Sequence, residues 1–153
     1  MKELKLASRS KRLLGAIIDS LICLLVSFPL FWLGGVFKRL ETNPYLTFGE
    51  HFLLFLAGLA VFMAVNGYLL ARDGQTVAKR LLKMRIVDLE GKLLPFPRLF
   101  IYRYLFLGLL GLIPFFGGLL GLVDALFIFR SDRRCLHDHL AGTIVIEVES
   151  SRA

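Results

Sequence analysis

The stretch Leu13–Phe37 reads LLGAIIDSLICLLVSFPLFWLGGVF and carries one charge, Asp19. A helix needs roughly 20 apolar residues to cross about 30 Å of hydrocarbon, and this run meets that length. An ionised carboxylate inside such a segment costs at least about 2.5–3.5 kcal/mol on insertion scales, so Asp19 marks a candidate functional site. Outward from it the pattern recurs. Phe52–Ala71 is a second apolar run and Leu99–Phe129 a third, and Asp124 is the one charge between Tyr104 and Phe129.

Hydrophobic residues make up 56% of the 153, against about 45–50% in a soluble domain. The excess lies in these three runs, and too little chain remains outside them for a separate soluble domain with its own core. The first run is too long for a signal-peptide apolar region and no small-x-small cleavage pattern follows it, so it reads as a retained span. Cys23 falls in mid-membrane and Cys135 in a polar tail, which predicts two free thiols rather than a disulfide.

The formal net charge is +7. Its location argues against nucleic acid, because Lys and Arg cluster beside the spans, as the positive-inside rule requires. Lys2, Lys5, Arg9, Lys11 and Arg12 precede the first span. Arg72, Lys79, Arg80, Lys83, Arg85, Lys92 and Arg98 follow the second, and Arg130, Arg133 and Arg134 follow the third run. The N-terminus and the Arg72–Arg98 segment are therefore expected in the cytoplasm, with residues 38–51 outside. A cytoplasmic tail requires an even number of crossings, or a re-entrant hairpin, between Arg98 and Arg130. Ile113-Pro114-Phe115-Phe116-Gly117-Gly118 supplies a helix break there. The rival is one long tilted helix with the tail outside.

The expected fold is an all-α membrane protein, one domain over residues 1–153, in a bundle of about four transmembrane helices. The spans lie near 13–37, 52–71, 99–113 and 116–130, the last two short and joined near Pro114–Gly118. Residues 74–85 alternate apolar and basic character. Val77, Arg80, Leu81 and Met84 share a helical face, which predicts an amphipathic helix on the headgroups, with Lys79, Arg80, Lys83 and Arg85 as lipid-surface residues. Arg85–Asp88 and Thr143–Glu149 are rich in β-branched residues and predict a small cytoplasmic β element.

Counting from the cytoplasmic edge, Asp19 is six residues past Leu13, Asn66 six before Arg72, Asp124 six before Arg130, and Arg103 five past Arg98. At 1.5 Å per residue each lies roughly 7–9 Å deep. Arg12 points down the same face as Asp19. The expected site is a polar pocket of Asp19, Asp124, Arg103, Asn66 and Arg12. In one reading the carboxylates bind a cation or exchange a proton. In the other they neutralise Arg12 and Arg103 and lock the bundle. His137-Asp138-His139 lacks the further ligands of a metal site and reads as a capped turn, its charge set against the membrane surface. No nucleophile motif, phosphate loop or dinucleotide fingerprint occurs, so neither enzyme activity nor a metal or other cofactor is expected.

These residues resemble the RDD family of small membrane proteins. The likeness rests on Arg12 and Asp19 in Arg-Leu-Leu-Gly-Ala-Ile-Ile-Asp and on Asp124 in Val-Asp-Ala-Leu. It rests also on Gly74-Gln75-Thr76-Val77-Ala78-Lys79-Arg80-Leu81-Leu82 with Ile86-Val87-Asp88 and Gly91, and on Leu136-His137-Asp138-His139-Leu140-Ala141-Gly142-Thr143-Ile144-Val145. Ala78 stands where the family often has Gly, and His139 where Lys is common. The resemblance implies a multi-pass protein of the cell (inner) membrane. It also implies either cation/proton exchange by an oligomer, as linked to some members, or an accessory module that binds another membrane protein. Anionic headgroups are the expected lipid partner of the basic segment.

The charge bias predicts that both termini are cytoplasmic. A reporter fused to the C-terminus should be active only on that side, and an external signal would remove the two-crossing reading of Leu99–Phe129.

Overall fold

The computed structural model describes residues 4–113 and 116–148. Helix α1 spans Arg9–Leu33 and starts at Ser8, whose side chain accepts the Lys11 amide. It runs through Pro29 and stops where Gly35 takes a φ of 72°. The first span therefore ends at Leu33, not Phe37, because the left-handed turn diverts Val36–Thr42 into a separate helix, α2. Helix α3 spans Phe48–Asp73. It opens on a reciprocal Thr47–Glu50 capping box, which satisfies orphan amides at its start and sets that start four residues before the expected one.

Both long helices can cross a membrane by length and composition, yet only 6% of the apolar window of α1 and 22% of that of α3 is buried. Leu21, Leu24, Leu25, Phe28 and Trp32 on α1 are all at least half exposed. A soluble core helix would be covered. A contiguous apolar surface of this extent calls for hydrocarbon as its solvent.

A third helical stretch is continuous but not regular. Helix α5 (Phe96–Phe100) passes into a π-helical turn (Ile101–Leu105) and then into α6 (Phe106–Leu110). Helix α7 (Phe116–Leu126) follows, ending in a 3-10 turn over Phe127–Phe129. Of the expected break at Pro114–Gly118, residues 116–118 already belong to α7, and Pro114 and Phe115 lie outside the described residues.

The remaining elements are short: α4 (Val77–Leu81), β1 (Met84–Asp88), α8 (Leu136–Ala141) and β2 (Thr143–Glu147). Strands β1 and β2 pair antiparallel with Ile86 opposite Val145. Residues 5–7 extend the sheet along the far side of β2. Leu6 bridges Ile146, and the Ala7 amide donates to Val145 at 2.9 Å. Ala7, Leu70, Met84, Ile86, Leu99 and Val145 form the buried core, with Phe62, Leu82, Leu94, Phe96 and Tyr104 packed on it. The sheet thus plugs one end of the helices.

The expected amphipathic helix over residues 74–85 is not present. Helix α4 has five residues, Leu81 is 67% exposed, and Met84 is fully buried as the first residue of β1. Lys83 adopts a φ of 54° between the two. The physical reason is that the first amides of α4 are held by side chains of α1 and α3, as described below. The segment therefore docks by its end instead of lying along a surface.

Gly74 closes α3 in the left-handed region, and a Cβ there would sit 2.6 Å from the Ile86 carbonyl oxygen. Gly74→Ala should lower stability by about 1–3 kcal/mol. Gly49→Ala, where a Cβ meets nothing within 4 Å, should not. Thermal unfolding of the two variants in detergent checks this.

Candidate functional site

Asp138 is the third residue of α8, and none of it is exposed. The Arg12 guanidinium of α1 donates to its Oδ2 at 2.5 Å, and Arg103, from the π-helical turn, donates to its Oδ1. The Cys135 amide and the Thr143 hydroxyl add bonds of 3.0 and 3.1 Å. Burial opposes the charge, but Arg103 first, then His137 and Arg12, hold the carboxyl well below the usual range. Arg103 reaches Thr143 as well, at 2.8 Å, and Arg12 donates to the Arg133 carbonyl. One carboxylate thus ties α1, the third helical stretch, α8 and β2 together.

Asp19 takes different partners. The Thr76 hydroxyl donates to it at 2.5 Å, and the Ala78 amide donates to its other oxygen at 3.0 Å. Asn66 of α3 accepts the Val77 amide at 2.9 Å. Its Nδ2 is buried with no partner among the described residues. Two helices therefore grip the start of α4, where amides lack intrahelical acceptors. The same grip holds Lys79, whose ammonium lies 3.8 Å from Asp19 with a side chain 15% exposed. Burial and the nearby Arg103 depress its pKa to about 8. Asp19 and Asp138 work in the other direction, and Arg12 with burial.

Asp124 of α7 accepts the His137 amide at 2.9 Å and lies 2.7 Å from His137 Nδ1. Burial and Arg103 lower the His137 pKa, so the imidazole is neutral near pH 7 and Nδ1 carries the proton given to Asp124. Arg12, Lys79, Arg103, Asp124, Cys135 and His137 line a cavity of about 150 Å³. Burial pushes the Cys135 thiol up to about 11. Cys23 and Cys135 are both free thiols.

Of the expected pocket, Arg12, Arg103 and Asp124 meet at this cavity. Asp19 faces it through Lys79, and Asn66 stands behind α4. The expected pairing is different: Arg12 and Arg103 take Asp138, not Asp19 and Asp124. Asp138 itself is withdrawn from any surface, contrary to its reading in a surface turn. Lys79 leaves the lipid-surface set, because its side chain turns inward. Arg80 and Lys83 remain exposed, and Arg85 is half-buried in β1. Thr76, Lys79, Cys135, His137 and Asp138 belong to the site and are not in the expected pocket. The available signal for Asp138 was Ala141 three residues on, an apolar residue on the same helical face and itself buried.

The protein-family model described as the RDD family matches residues 6–142. No curated protein and no solved structure matches the chain.

Replacing Asp138 by Asn leaves two buried guanidiniums without a counter-charge, so the fold should lose about 3–5 kcal/mol. Thermal unfolding in detergent, beside Asp132→Asn at a half-exposed ion pair, gives the comparison.

Proposed function

This chain belongs to the RDD family, and on that premise we propose that it exchanges a cation for a proton at the carboxylates near one membrane face. It is an integral membrane protein, and the mode of action is a matter of charge balance. Asp19, Asp124 and Asp138 face Arg12, Arg103 and Lys79. The two guanidiniums keep their charge at any physiological pH. Lys79 does not. When it loses its proton, the cluster is left one negative charge in excess, beside Asp19 and next to a cavity large enough for a partly hydrated ion. A cation that enters replaces the charge that left, and its departure draws a proton back.

The observation that carries this reading is the Asp19–Lys79 pair, 3.8 Å apart, with Lys79 on the cavity wall. The topology that goes with it has four crossings, α1, α3, the Phe96–Leu110 stretch and α7. Both termini and the β element are then cytoplasmic. Four helices are few for alternating access, so the working unit is an oligomer. Exposed Arg80 and Lys83 suit anionic headgroups at that face. The alternative is a non-transporting module for another membrane protein. The rigid Arg12–Asp138–Arg103 lock favours it, since a scaffold needs its charges only as paired contacts.

Flux in proteoliposomes separates the two. Because the proton must leave Lys79, cation-coupled flux should rise as pH increases through about 8. Asp19→Asn should abolish flux while leaving a folded protein, and Lys79→Met should remove the pH dependence. A folded intact protein with no flux of Na⁺, K⁺ or Li⁺ at any pH leaves the scaffold reading.

A further inference from the structure

Asp124, Cys135 and His137 stand together at the same cavity, apart from the labile Asp19–Lys79 pair. One ligand atom of each lies within 4.8 Å of the others. We propose that these three side chains form a binding site for a divalent transition metal of the zinc type. The donor set is one carboxylate oxygen, one thiolate sulfur and one imidazole nitrogen, a combination that suits a borderline-soft ion and not Mg²⁺ or Ca²⁺. Zinc bonds of about 2.0–2.3 Å place tetrahedral ligands roughly 3.3–3.8 Å apart. His137 Nδ1 and Asp124 Oδ2 are at 2.7 Å and must part, and the widest pair must close by about 1 Å. Side-chain torsions alone cover both.

The surroundings fit a metal at Nδ1. A neutral His137 that donates Nδ1–H to Asp124 turns its Nε2 lone pair toward Asp138 Oδ1, 3.7 Å away. Two acceptors then face each other. With a metal on Nδ1 the proton moves to Nε2 and points at that carboxylate, the usual outer-shell partner of a metal-bound imidazole. The thiol proton leaves as the metal–sulfur bond forms. The ion's two positive charges are thus matched by the Asp124 carboxylate and the new thiolate. Arg12, 3.4 Å from Cys135 Sγ, keeps its bond to Asp138. The cavity that these residues line leaves a fourth position open to water. No short-range motif announces the site, because Asp124 comes from α7 and the other two from the start of α8.

The proposal is independent of ion exchange: zinc binding without flux leaves it standing, and flux without zinc binding sinks it alone. The test uses the intact protein in detergent with Zn²⁺ competed against a chromophoric chelator, and with Co²⁺ as a spectroscopic stand-in. One ion should bind per chain, and Co²⁺ should give a thiolate charge-transfer band. Cys135→Ser and Asp124→Asn should each weaken Zn²⁺ binding by more than about 100-fold, beyond the 10–100-fold typical of an outer-shell loss. Cys23→Ser should bind as the intact protein does. Zn²⁺ should raise the Tm of the intact protein and not that of Cys135→Ser. Absence of the charge-transfer band in the intact protein, or loss of binding in Cys23→Ser alone, overturns the site.

Discussion

A carboxylate with no exposure, held between two guanidiniums, is the constraint on which the polar end of this molecule depends. Asp138 carries a charge that could not be buried alone, and neither could Arg12 or Arg103. Each is tolerable only because the other elements arrive in register. Arg12 is in the first turn of α1, Arg103 in a π-helical turn, and Asp138 at the start of a six-residue helix. None of these elements would be stable in water by itself. A helix of six residues is far below the length at which isolated helices persist. The ion cluster is what gives α8 a fixed place, and α8 in turn delivers β2.

The apolar packing follows the same division. The long helices present side chains to the outside along most of their length, and their own mutual burial is slight. The dense core sits at one end, where Met84, Ile86 and Val145 of the two-stranded sheet meet Leu70 and Leu99. In a bilayer, helix surfaces gain nothing from hiding apolar area from lipid, so tight packing is needed only where chain and water meet. The β1–β2 sheet, its extension at residues 5–7 and the gripped α4 all serve this junction.

That junction is also where titratable groups are forced together. Docking α4 onto the helix ends withdraws Lys79 from water while leaving it beside Asp19 and a cavity. A lysine in such a place is poised to change its charge near neutral pH, and arginines are not. The design separates permanent pairs, which hold the fold, from one labile pair.

Some of this was legible in the residues themselves. A run of about 20 apolar residues has one cheap environment, so Leu13–Phe37 and Phe52–Ala71 announce membrane helices, and Asp19 in such a run announces a site. The β-branched residues of Arg85–Asp88 and Thr143–Glu149 pointed to the small sheet, whose strands pair as β1 and β2. Constant helical rise put Asp19, Asn66, Asp124 and Arg103 at one expected depth, and of the expected pocket Arg12, Arg103 and Asp124 line one cavity. Partner choice was not legible. Arg12 and Arg103 took Asp138, from 126 and 35 residues along the chain, because the packed α8, and no local pattern, brings that carboxylate between them. Lys79 turned inward because Asp19 and Asn66 captured the amides ahead of it, which overrode the amphipathic pattern of its segment. Sequence determines which groups must avoid water or lipid; only the tertiary structure decides which opposite charge satisfies each one, since a buried ion accepts whichever partner the packed elements bring within reach.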